Sequence, residues 1–423
     1  MSEARPPALA RTLGTTDAVL IGLGSMLGAG VFAAFGPAAR SAGAALLLGL
    51  AIAAVVAYCN ATSSAQLAAQ YPTSGGTYVY GRERLGDWWG FLAGWGFVVG
   101  KTASCAAMAL TFAAYAVPAD WQRPTAVAAV VALAAVNYRG VTRTAALTRV
   151  IVSIVLASLA VVVAVGLLGA GPDPDRFGTA IDPGLGWYGV LQSAGLLFFA
   201  FAGYARIATM GEEVKTPERT IPRAIQLALG ITVFVYAVIG VTILTVLGAD
   251  GVAASGAPLL DVVLEGSWSW AGPVVRVGAA AAALGALLAL IAGVGRTSLA
   301  MARHGDLPRW LAAVHPRFRV PHHAETALAG AVCLLVLTVD LRGAIGFSSF
   351  GVLVYYLVAN LAARTQDPGH RRFPRLLQTL GAAGCAVLVL TLPLSSVVSG
   401  IAVFAVGVAY RVVRSRRSAR AAR

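Results

Sequence analysis

Long apolar runs separated by short polar stretches extend along nearly the whole chain. A helix of about 20 apolar residues crosses the hydrocarbon of a bilayer. The runs therefore predict an all-α polytopic membrane protein with about twelve transmembrane helices, of which the fourth and the ninth are short. The predicted spans are 17–37, 43–69, 88–117, 125–138, 148–169, 188–210, 221–247, 273–301, 325–339, 345–363, 376–392 and 393–412.

The first run contains a glycine-rich segment at residues 21–32, with the sequence IGLGSMLGAGVF. Each glycine weakens a helix by about 1 kcal/mol relative to alanine, and unwound backbone inside a membrane is tolerated only where protein or a wet cavity surrounds it. The segment therefore favours an interrupted helix, whose free carbonyl groups suit a cation and whose free N–H groups suit an anion, as an amino acid zwitterion requires. Gly24 and Gly28 also form the GxxxG pattern of a packing seam between membrane helices, and this second interpretation stays open. A dinucleotide fingerprint is disfavoured because Leu27 stands where it needs glycine.

The sixth run repeats this feature, since Gly203 lies in the middle of residues 196–211 (LLFFAFAGYARIATMG). The first and sixth spans are five apart, and this odd offset requires a repeat of five helices to be inverted in the membrane. Interrupted segments at matching positions of two inverted halves are a sequence signature of a transporter site. Phe199, Phe201 and Tyr204 flank the second interruption, where one of them is a candidate lid over a substrate and helix packing is the alternative.

The composition agrees with a membrane protein, and the distribution of charge predicts its orientation in the membrane. Of 423 residues, 58% are hydrophobic and 12% charged, whereas a soluble domain carries roughly 25% charge. The net charge of +14 comes mainly from alternate loops and from the C-terminal tail, which predicts that these loops and both termini are cytoplasmic. Basic loops beside anionic lipid explain this charge without a nucleic-acid partner. The cytoplasmic basic residues include Arg82, Arg84, Arg139, Arg143, Lys215, Arg219, Arg223, Arg303, Arg309, Arg371 and Arg372.

Few charged residues fall inside the predicted spans. Lys101 lies halfway along the third span, where an unpaired ammonium costs roughly 2.5 to 3.5 kcal/mol, so we expect it to face the interior of the helix bundle. Arg206 follows the Gly203 interruption and is a candidate partner for Glu212 or Glu213 in a cytoplasmic gate, or a group that faces the substrate. The two glutamates are also explained as solvated residues at the end of the helix.

The end of the eighth span offers a second place for ion coupling, at Arg296, Thr297 and Ser298. Hydroxyl groups there suit a sodium site completed by backbone carbonyls, although such hydroxyls more often bond to their own helix. No cysteine and histidine spacing indicates a metal site, and no hydrolase, ATP-binding or metalloprotease motif is present. We therefore expect neither an enzyme nor a cofactor, with proton or sodium coupling left open.

Five motifs in order resemble the amino acid-polyamine-organocation superfamily of permeases, over residues 15–310. They are IGLGSMLGAGVF, YPTSGGTYVYGRERLG, NYRGV, FFAFAGYARIATMGEEVKTPERTIPRAI and RTSLAMARHGDLPRW. The resemblance implies a leucine-transporter-like fold of five plus five inverted helices with two appended helices. The implied units are a cytoplasmic N-terminus (1–16), a first repeat (17–169), a second repeat (188–363), two further helices (376–412) and a basic cytoplasmic tail (413–423).

The resemblance also implies an amino acid bound between the first and sixth helices and moved by alternating access. Backbone N–H groups of Gly24, Ser25, Met26, Leu27 and Gly28 would bind its carboxylate. Carbonyl groups at Ile21, Gly22, Leu23 and, in the sixth span, from Phe199 to Ala202 would bind its ammonium. The chain departs from the family at Ala205, where many members have an acidic residue, and residues 149–165 lack the fifth-helix lysine of some proton-coupled members.

The sequence therefore predicts a secondary amino acid transporter of the plasma or inner membrane. Lys101 and Arg206, without an acid well inside the bundle, favour a neutral or acidic substrate over a cationic one. The alternatives are a polyamine or organic-cation permease and, from another class, a membrane receptor or channel without a transport cycle. The sequence does not indicate an oligomeric state.

Overall fold

The computed structural model describes residues 13–72, 75–140, 145–169, 171, 173–177, 186–210, 213–266 and 268–421. Within these residues the protein is helical, and an isolated bridge between Leu13 and Val214 is the extended pairing recorded there. Nine helical stretches are long and apolar enough to cross a membrane in this part of the chain. The chain is therefore a polytopic helical membrane protein.

Seventeen α-helices follow one another in the described residues. They are α1 (Thr15–Met26), α2 (Ala29–Ala33), α3 (Phe35–Ala42), α4 (Leu46–Gln70), α5 (Gly76–Leu85), α6 (Asp87–Ala116), α7 (Gln122–Tyr138), α8 (Ala145–Ala164), α9 (Gly186–Phe201), α10 (Ala205–Ala208), α11 (Pro217–Ala254), α12 (Pro258–Glu265), α13 (Gly272–Arg303), α14 (His322–Thr338), α15 (Leu341–Arg364), α16 (Arg375–Thr391) and α17 (Leu394–Ala421).

Local sequence explains several helix ends. Gly86 has φ +99° between α5 and α6, a conformation that a residue without Cβ adopts readily. Pro217 and Pro258 begin α11 and α12, where the missing N–H of proline costs no helical hydrogen bond. Gly248, with φ +69°, kinks α11 near its end.

Helical segments lie along each of the twelve predicted spans, and three of the spans that have a single helix are short. The helices α7, α14 and α16 have 17 residues each, below the usual length of a span. The number of twelve spans therefore stays a prediction, as do the inverted repeat and the five predicted units. Residues 1–12 of the predicted N-terminal unit and residues 422–423 of the tail lie outside the described residues.

The interrupted helices lie in the interior of the bundle. The helix α1 packs against α8 and α11, while α2 packs against α6, α9 and α13. The helix α6 also packs along α13 and α15. These contacts bring side chains of α6, α11 and α15 to the two interruptions.

Candidate functional site

The first interruption separates α1 from α2 at Leu27 and Gly28, inside the predicted glycine-rich segment. The last N–H to bond back into α1 is that of Leu27, which donates to the carbonyl of Leu23 at 2.6 Å. Met26 and Leu27 are each 1% exposed. The chain direction therefore changes in a protein environment, as unwound backbone in a membrane requires.

The second interruption is milder. The helix α9 ends at Phe201, residues Ala202–Tyr204 form one 3₁₀ turn, and α10 then continues for one turn. A 3₁₀ turn shifts the hydrogen-bond pattern from i+4 to i+3, so fewer backbone groups are freed here than at Leu27 and Gly28.

The two interruptions touch each other through glycine. A Cβ built on Gly203 would lie 2.3 Å from the carbonyl oxygen of Ser25, and one built on Gly30 would lie 2.6 Å from the Cα of Ala200. Gly22 similarly meets Ile207, while Gly28 faces Ala286 of α13. The glycines thus serve close packing as well as interruption, so the two interpretations of the glycine-rich segment are compatible.

A tyrosine of α11 joins the two interruptions. The hydroxyl oxygen of Tyr236 lies 2.5 Å from the carbonyl oxygen of Met26 and 3.0 Å from that of Ala200. One hydroxyl has a single proton, so the two carbonyls share one donor. Tyr236 is 1% exposed and its ring lies 5.1 Å from that of Phe201, which fixes the hydroxyl in this position.

Lys101 of α6 reaches the second interruption. It is 7% exposed, which confirms that it faces the interior of the bundle. Its Nζ lies 3.4 Å from the carbonyl oxygen of Ala202, and the Tyr356 hydroxyl of α15 donates to the same oxygen at 3.3 Å. No ion pair recorded among the described residues involves Lys101, so neutral dipoles surround this ammonium.

Several carbonyl groups predicted to bind a substrate ammonium already have donors. The carbonyl of Ile21 accepts from the Ser25 hydroxyl at 2.9 Å. The Ala200 carbonyl has Tyr236, and the Ala202 carbonyl has Lys101 and Tyr356. A carbonyl oxygen has two lone pairs, so a substrate ammonium would compete with Lys101 and Tyr356 most directly at the Ala202 carbonyl, which already has two side-chain donors.

The aromatic residues of the second interruption are buried. Phe199 is 7% exposed, while Phe201 and Tyr204 are 0% exposed. The ring of Tyr204 lies 5.0 Å from that of Tyr356. These contacts place all three rings in helix packing in this conformation, and the lid function stays a prediction.

At the predicted cytoplasmic end, the structure brings Arg206 and Glu213 together. Their closest side-chain atoms are 4.0 Å apart, and the side chains are 43% and 36% exposed. Backbone bonds hold the same region, because the N–H of Leu13 donates to the Glu213 carbonyl at 3.2 Å and that of Lys215 donates to the Leu13 carbonyl at 2.9 Å. The chain before α1 is thus tied to the chain after α10. Glu212 lies outside the described residues.

The candidate ion site on α13 is less well assembled. The Thr297 hydroxyl donates to the Gly293 carbonyl of its own helix at 3.1 Å. Ser298 is 7% exposed, whereas Arg296 is exposed. The local bond of Thr297 is the alternative that its sequence position left open.

Sequence reasoning missed two polar groups in this region. Tyr236 lies within an apolar run, and no local pattern distinguishes it from a packing residue. Glu325 is 3% exposed beside Gly295, and its Oε2 has no hydrogen-bond partner. It is the first residue of the ninth predicted span and lies in the first turn of α14, so this buried acid is at the end of a span. Glu325 therefore does not contradict the inference that no acid lies well inside the bundle.

Comparisons with known proteins identify the family of the chain. The sequence profile of a family described as amino acid permease matches residues 13–413. An uncharacterized transporter of Mycobacterium tuberculosis is 61% identical over 409 residues, which cover 97% of this chain and 92% of that protein. Cationic amino acid transporter 4 of Homo sapiens is 29% identical over 375 residues, or 82% of this chain and 58% of that protein. The branched-chain amino acid permease of Bacillus subtilis is 25% identical over 397 residues, or 85% of this chain and 82% of that protein.

Proposed function

This chain belongs to the amino acid permease family, and on that premise we propose that it is a secondary active transporter that moves a neutral amino acid by alternating access. The observation that carries the proposal is the contact between two interrupted helices, with Lys101 on a carbonyl of the second interruption. In a transporter that opens alternately to the two sides of the membrane, the substrate site lies near the middle of the bundle, where the interrupted helices meet. The bundle can then open at one end while the other end stays closed.

The finer architecture is part of the same proposal. We propose twelve spans, with an inverted repeat of five helices at 17–169 and 188–363, two further helices at 376–412, and cytoplasmic segments at 1–16 and 413–423. The plasma or inner membrane is the proposed location, with both termini cytoplasmic. The excess of arginine on one side of the predicted spans supports this orientation.

The proposed substrate site lies at the contact between the interruptions. Backbone N–H groups of residues 24–28 bind the carboxylate, and the carbonyls near Ala202 bind the ammonium. Because Lys101 is within 3.4 Å of the Ala202 carbonyl, the substrate ammonium takes the place of the lysine ammonium. Lys101 therefore bonds to the Ala202 carbonyl when the site is empty and leaves it when the substrate is bound.

A neutral substrate fits these charges best. A cationic side chain would add a positive charge close to Lys101, which has no recorded carboxylate partner among the described residues. The human relative is a cationic amino acid transporter by name, which supports the alternative of a cationic amino acid, and the Bacillus subtilis relative is a branched-chain amino acid permease by name, which supports a branched-chain one. Polyamines carry several positive charges and fit the same region least well.

Lys101 is also the coupling group that we propose. When its ammonium loses a proton, the competitor for the Ala202 carbonyl loses its charge, so proton release and substrate binding are linked. The buried carboxyl of Glu325 is a second candidate proton carrier. Sodium coupling has less support, because the Thr297 hydroxyl is bonded within its own helix.

Counterflow in proteoliposomes tests the proposal. Vesicles loaded with one unlabelled amino acid are diluted into the same labelled compound, in turn alanine, leucine, glutamate, arginine and putrescine. Alternating access predicts transient accumulation of label for alanine or leucine, which neither a channel nor a receptor produces. If no amino acid shows counterflow, the transport proposal fails. If the counterflow of arginine or putrescine exceeds that of alanine and glutamate, the proposed substrate charge is wrong.

A further inference from the structure

A polar pocket lies at the opposite end of the bundle from Arg206 and Glu213. Its volume is about 340 Å³, within the range of small-molecule sites. It opens between the start of α15 and the start of α17, beside α9. Its lining includes Gln192, Asp340, Arg342, Gly343, Leu394 and Ser395.

The guanidinium of Arg342 in this pocket has neutral partners. Its Nη2 donates to the Ser41 hydroxyl and to the Gln192 side-chain oxygen, each at 3.0 Å. Its Nε is buried without a hydrogen-bond partner, and the ion pairs recorded for the described residues do not include it. Arg40 and Asp340 both act on it electrostatically, with opposite signs. An anion would therefore give the guanidinium the direct ionic partner that it lacks among the described residues.

The helices around the pocket also favour an anion. Both α15 and α17 begin there, and the N-terminal end of a helix favours negative charge. In α15 the Gly343 N–H is already capped by the Asp340 carboxylate at 2.9 Å. Asp340 is exposed, so its second oxygen remains for a cationic group. The pocket thus offers a guanidinium to a carboxylate and a carboxylate to an ammonium.

We propose that this pocket binds a free amino acid, held by its carboxylate on Arg342, before the amino acid reaches the interrupted helices. This inference rests on the proposed transport function. Ser41 belongs to α3, which continues the first interrupted helix, and Gln192 belongs to α9 of the second. Arg342 therefore ties together the ends of both helices on this side of the bundle.

Binding at the pocket would loosen that tie. A carboxylate adds charge attraction and can accept two parallel N–H bonds from one guanidinium, which the neutral hydroxyl of Ser41 and the neutral amide of Gln192 cannot do, so a carboxylate competes well with them. The Ser41 hydroxyl also donates directly to the Gln192 side-chain oxygen at 3.1 Å, so arrival of the amino acid removes Arg342 from this junction and leaves that bond between α3 and α9 in place. The pocket is therefore an entry site whose occupation weakens the contact between the two helices.

Cysteine protection tests this inference directly. Ser395 lines the pocket and is exposed, so Ser395→Cys in detergent-purified protein reacts with a maleimide at a measurable rate. A ligand at twice its dissociation constant slows this reaction about 3-fold. We expect L-alanine and acetate to protect the thiol and ethylamine not to protect it. The exposed Ala119→Cys is the matched control, which none of the three compounds should protect, and wild-type protein gives the background from the native cysteines.

Second-site variants identify the group responsible. Arg342→Gln in the Ser395→Cys background should abolish protection, and Arg342→Lys should restore part of it. Arg123 is an exposed arginine on the same proposed outer side. Arg123→Gln should leave protection intact, and thermal unfolding shows whether each variant is folded. Full protection in Arg342→Gln, or protection by ethylamine equal to that by acetate, would overturn the inference.

The two proposals fail separately. Gly203→Ala should strongly reduce uptake while Ser395→Cys remains protected in that variant. Counterflow without protection would remove the entry pocket and leave the transporter. Protection by alanine without counterflow of any amino acid would leave a binding pocket and remove the transport function on which its role as an entry site rests.

Discussion

The two interrupted helices differ in how their free carbonyl groups are satisfied. At the first interruption the donors are hydroxyl groups, from Ser25 to the Ile21 carbonyl and from Tyr236 to the Met26 carbonyl. At the second, the Ala202 carbonyl receives an ammonium from Lys101 together with a hydroxyl from Tyr356. The first interruption is thus held by neutral groups, whereas the donor at the second changes its charge when it loses a proton. The first interruption therefore depends mainly on neutral packing and hydrogen bonds, and the second depends on the charge of Lys101.

The largest expected effect comes from forcing the two interruptions apart. In Gly203→Ala the new Cβ would lie 2.3 Å from the Ser25 carbonyl oxygen, and overpacking of this kind costs about 1 to 3 kcal/mol. We expect initial uptake into proteoliposomes to fall by roughly 5- to 150-fold, the range that about 1 to 3 kcal/mol corresponds to. Gly230→Ala is the matched control, because a Cβ there meets nothing within 4 Å. Equal uptake by the two variants would show that the contact is not part of the transport cycle.

Removing the shared hydroxyl should have the next largest effect. Tyr236→Phe leaves the Met26 and Ala200 carbonyls without their common donor, and an unsatisfied buried group costs about 1 to 3 kcal/mol. The midpoint of thermal unfolding in detergent should fall, together with uptake. Tyr356→Phe should lower the midpoint less, because Lys101 still donates to the Ala202 carbonyl. The reverse order would argue that the second interruption is the one that depends on its hydroxyl.

Replacing the charged donor should change pH dependence more than stability. Lys101→Met removes a buried ammonium without a recorded ionic partner among the described residues, and such a charge is costly inside a membrane, so the unfolding midpoint should stay equal or rise. Uptake should lose the part of its pH profile that follows titration of the lysine. Initial rates measured in steps across the pH range, with Thr102→Ala as the neighbouring control on α6, test this. An unchanged profile would assign Lys101 to packing.

The smallest effect is expected at the exposed end of the second helix. Arg206 and Glu213 are 4.0 Å apart and both partly exposed, and pairs of this kind contribute about 0 to 1 kcal/mol. Arg206→Gln and Glu213→Gln should each change the unfolding midpoint little. A double-mutant cycle on the uptake rate measures whether the pair acts as a gate. A coupling energy above about 1 kcal/mol would place this contact among the determinants of the cycle.

The interruptions can be predicted from the sequence because the residues that weaken the helix lie at the interruption itself. Four glycines in an apolar run weaken the helix at that place, and the structure breaks it at Leu27 and Gly28. The interior position of Lys101 is also predictable, since an ammonium in a span has to avoid lipid. The severity of the second interruption is not, because one glycine fits a 3₁₀ turn as well as an unwound segment.

The partners of the freed carbonyls could not be predicted from local sequence. Tyr236 is 36 residues from Ala200 and 210 residues from Met26, so only the packing of α11 against α1 brings them together. The contact between Gly203 and Ser25 similarly requires two distant segments to cross at their interruptions. The pocket around Arg342 could not be predicted from local sequence either, because a basic residue at the beginning of a helix is explained equally well by the membrane interface.

The lysine beside the Ala202 carbonyl is attached to the protein, and this has a consequence for affinity. A tethered group has an effective concentration of about millimolar or more at its binding place. On the proposed binding mode, an amino acid from solution would compete with that built-in ligand. The length of one side chain on α6 would thereby set the concentration range over which the protein responds to its surroundings, and a shorter cation at position 101, which reaches the Ala202 carbonyl less well, would shift that range to lower concentrations.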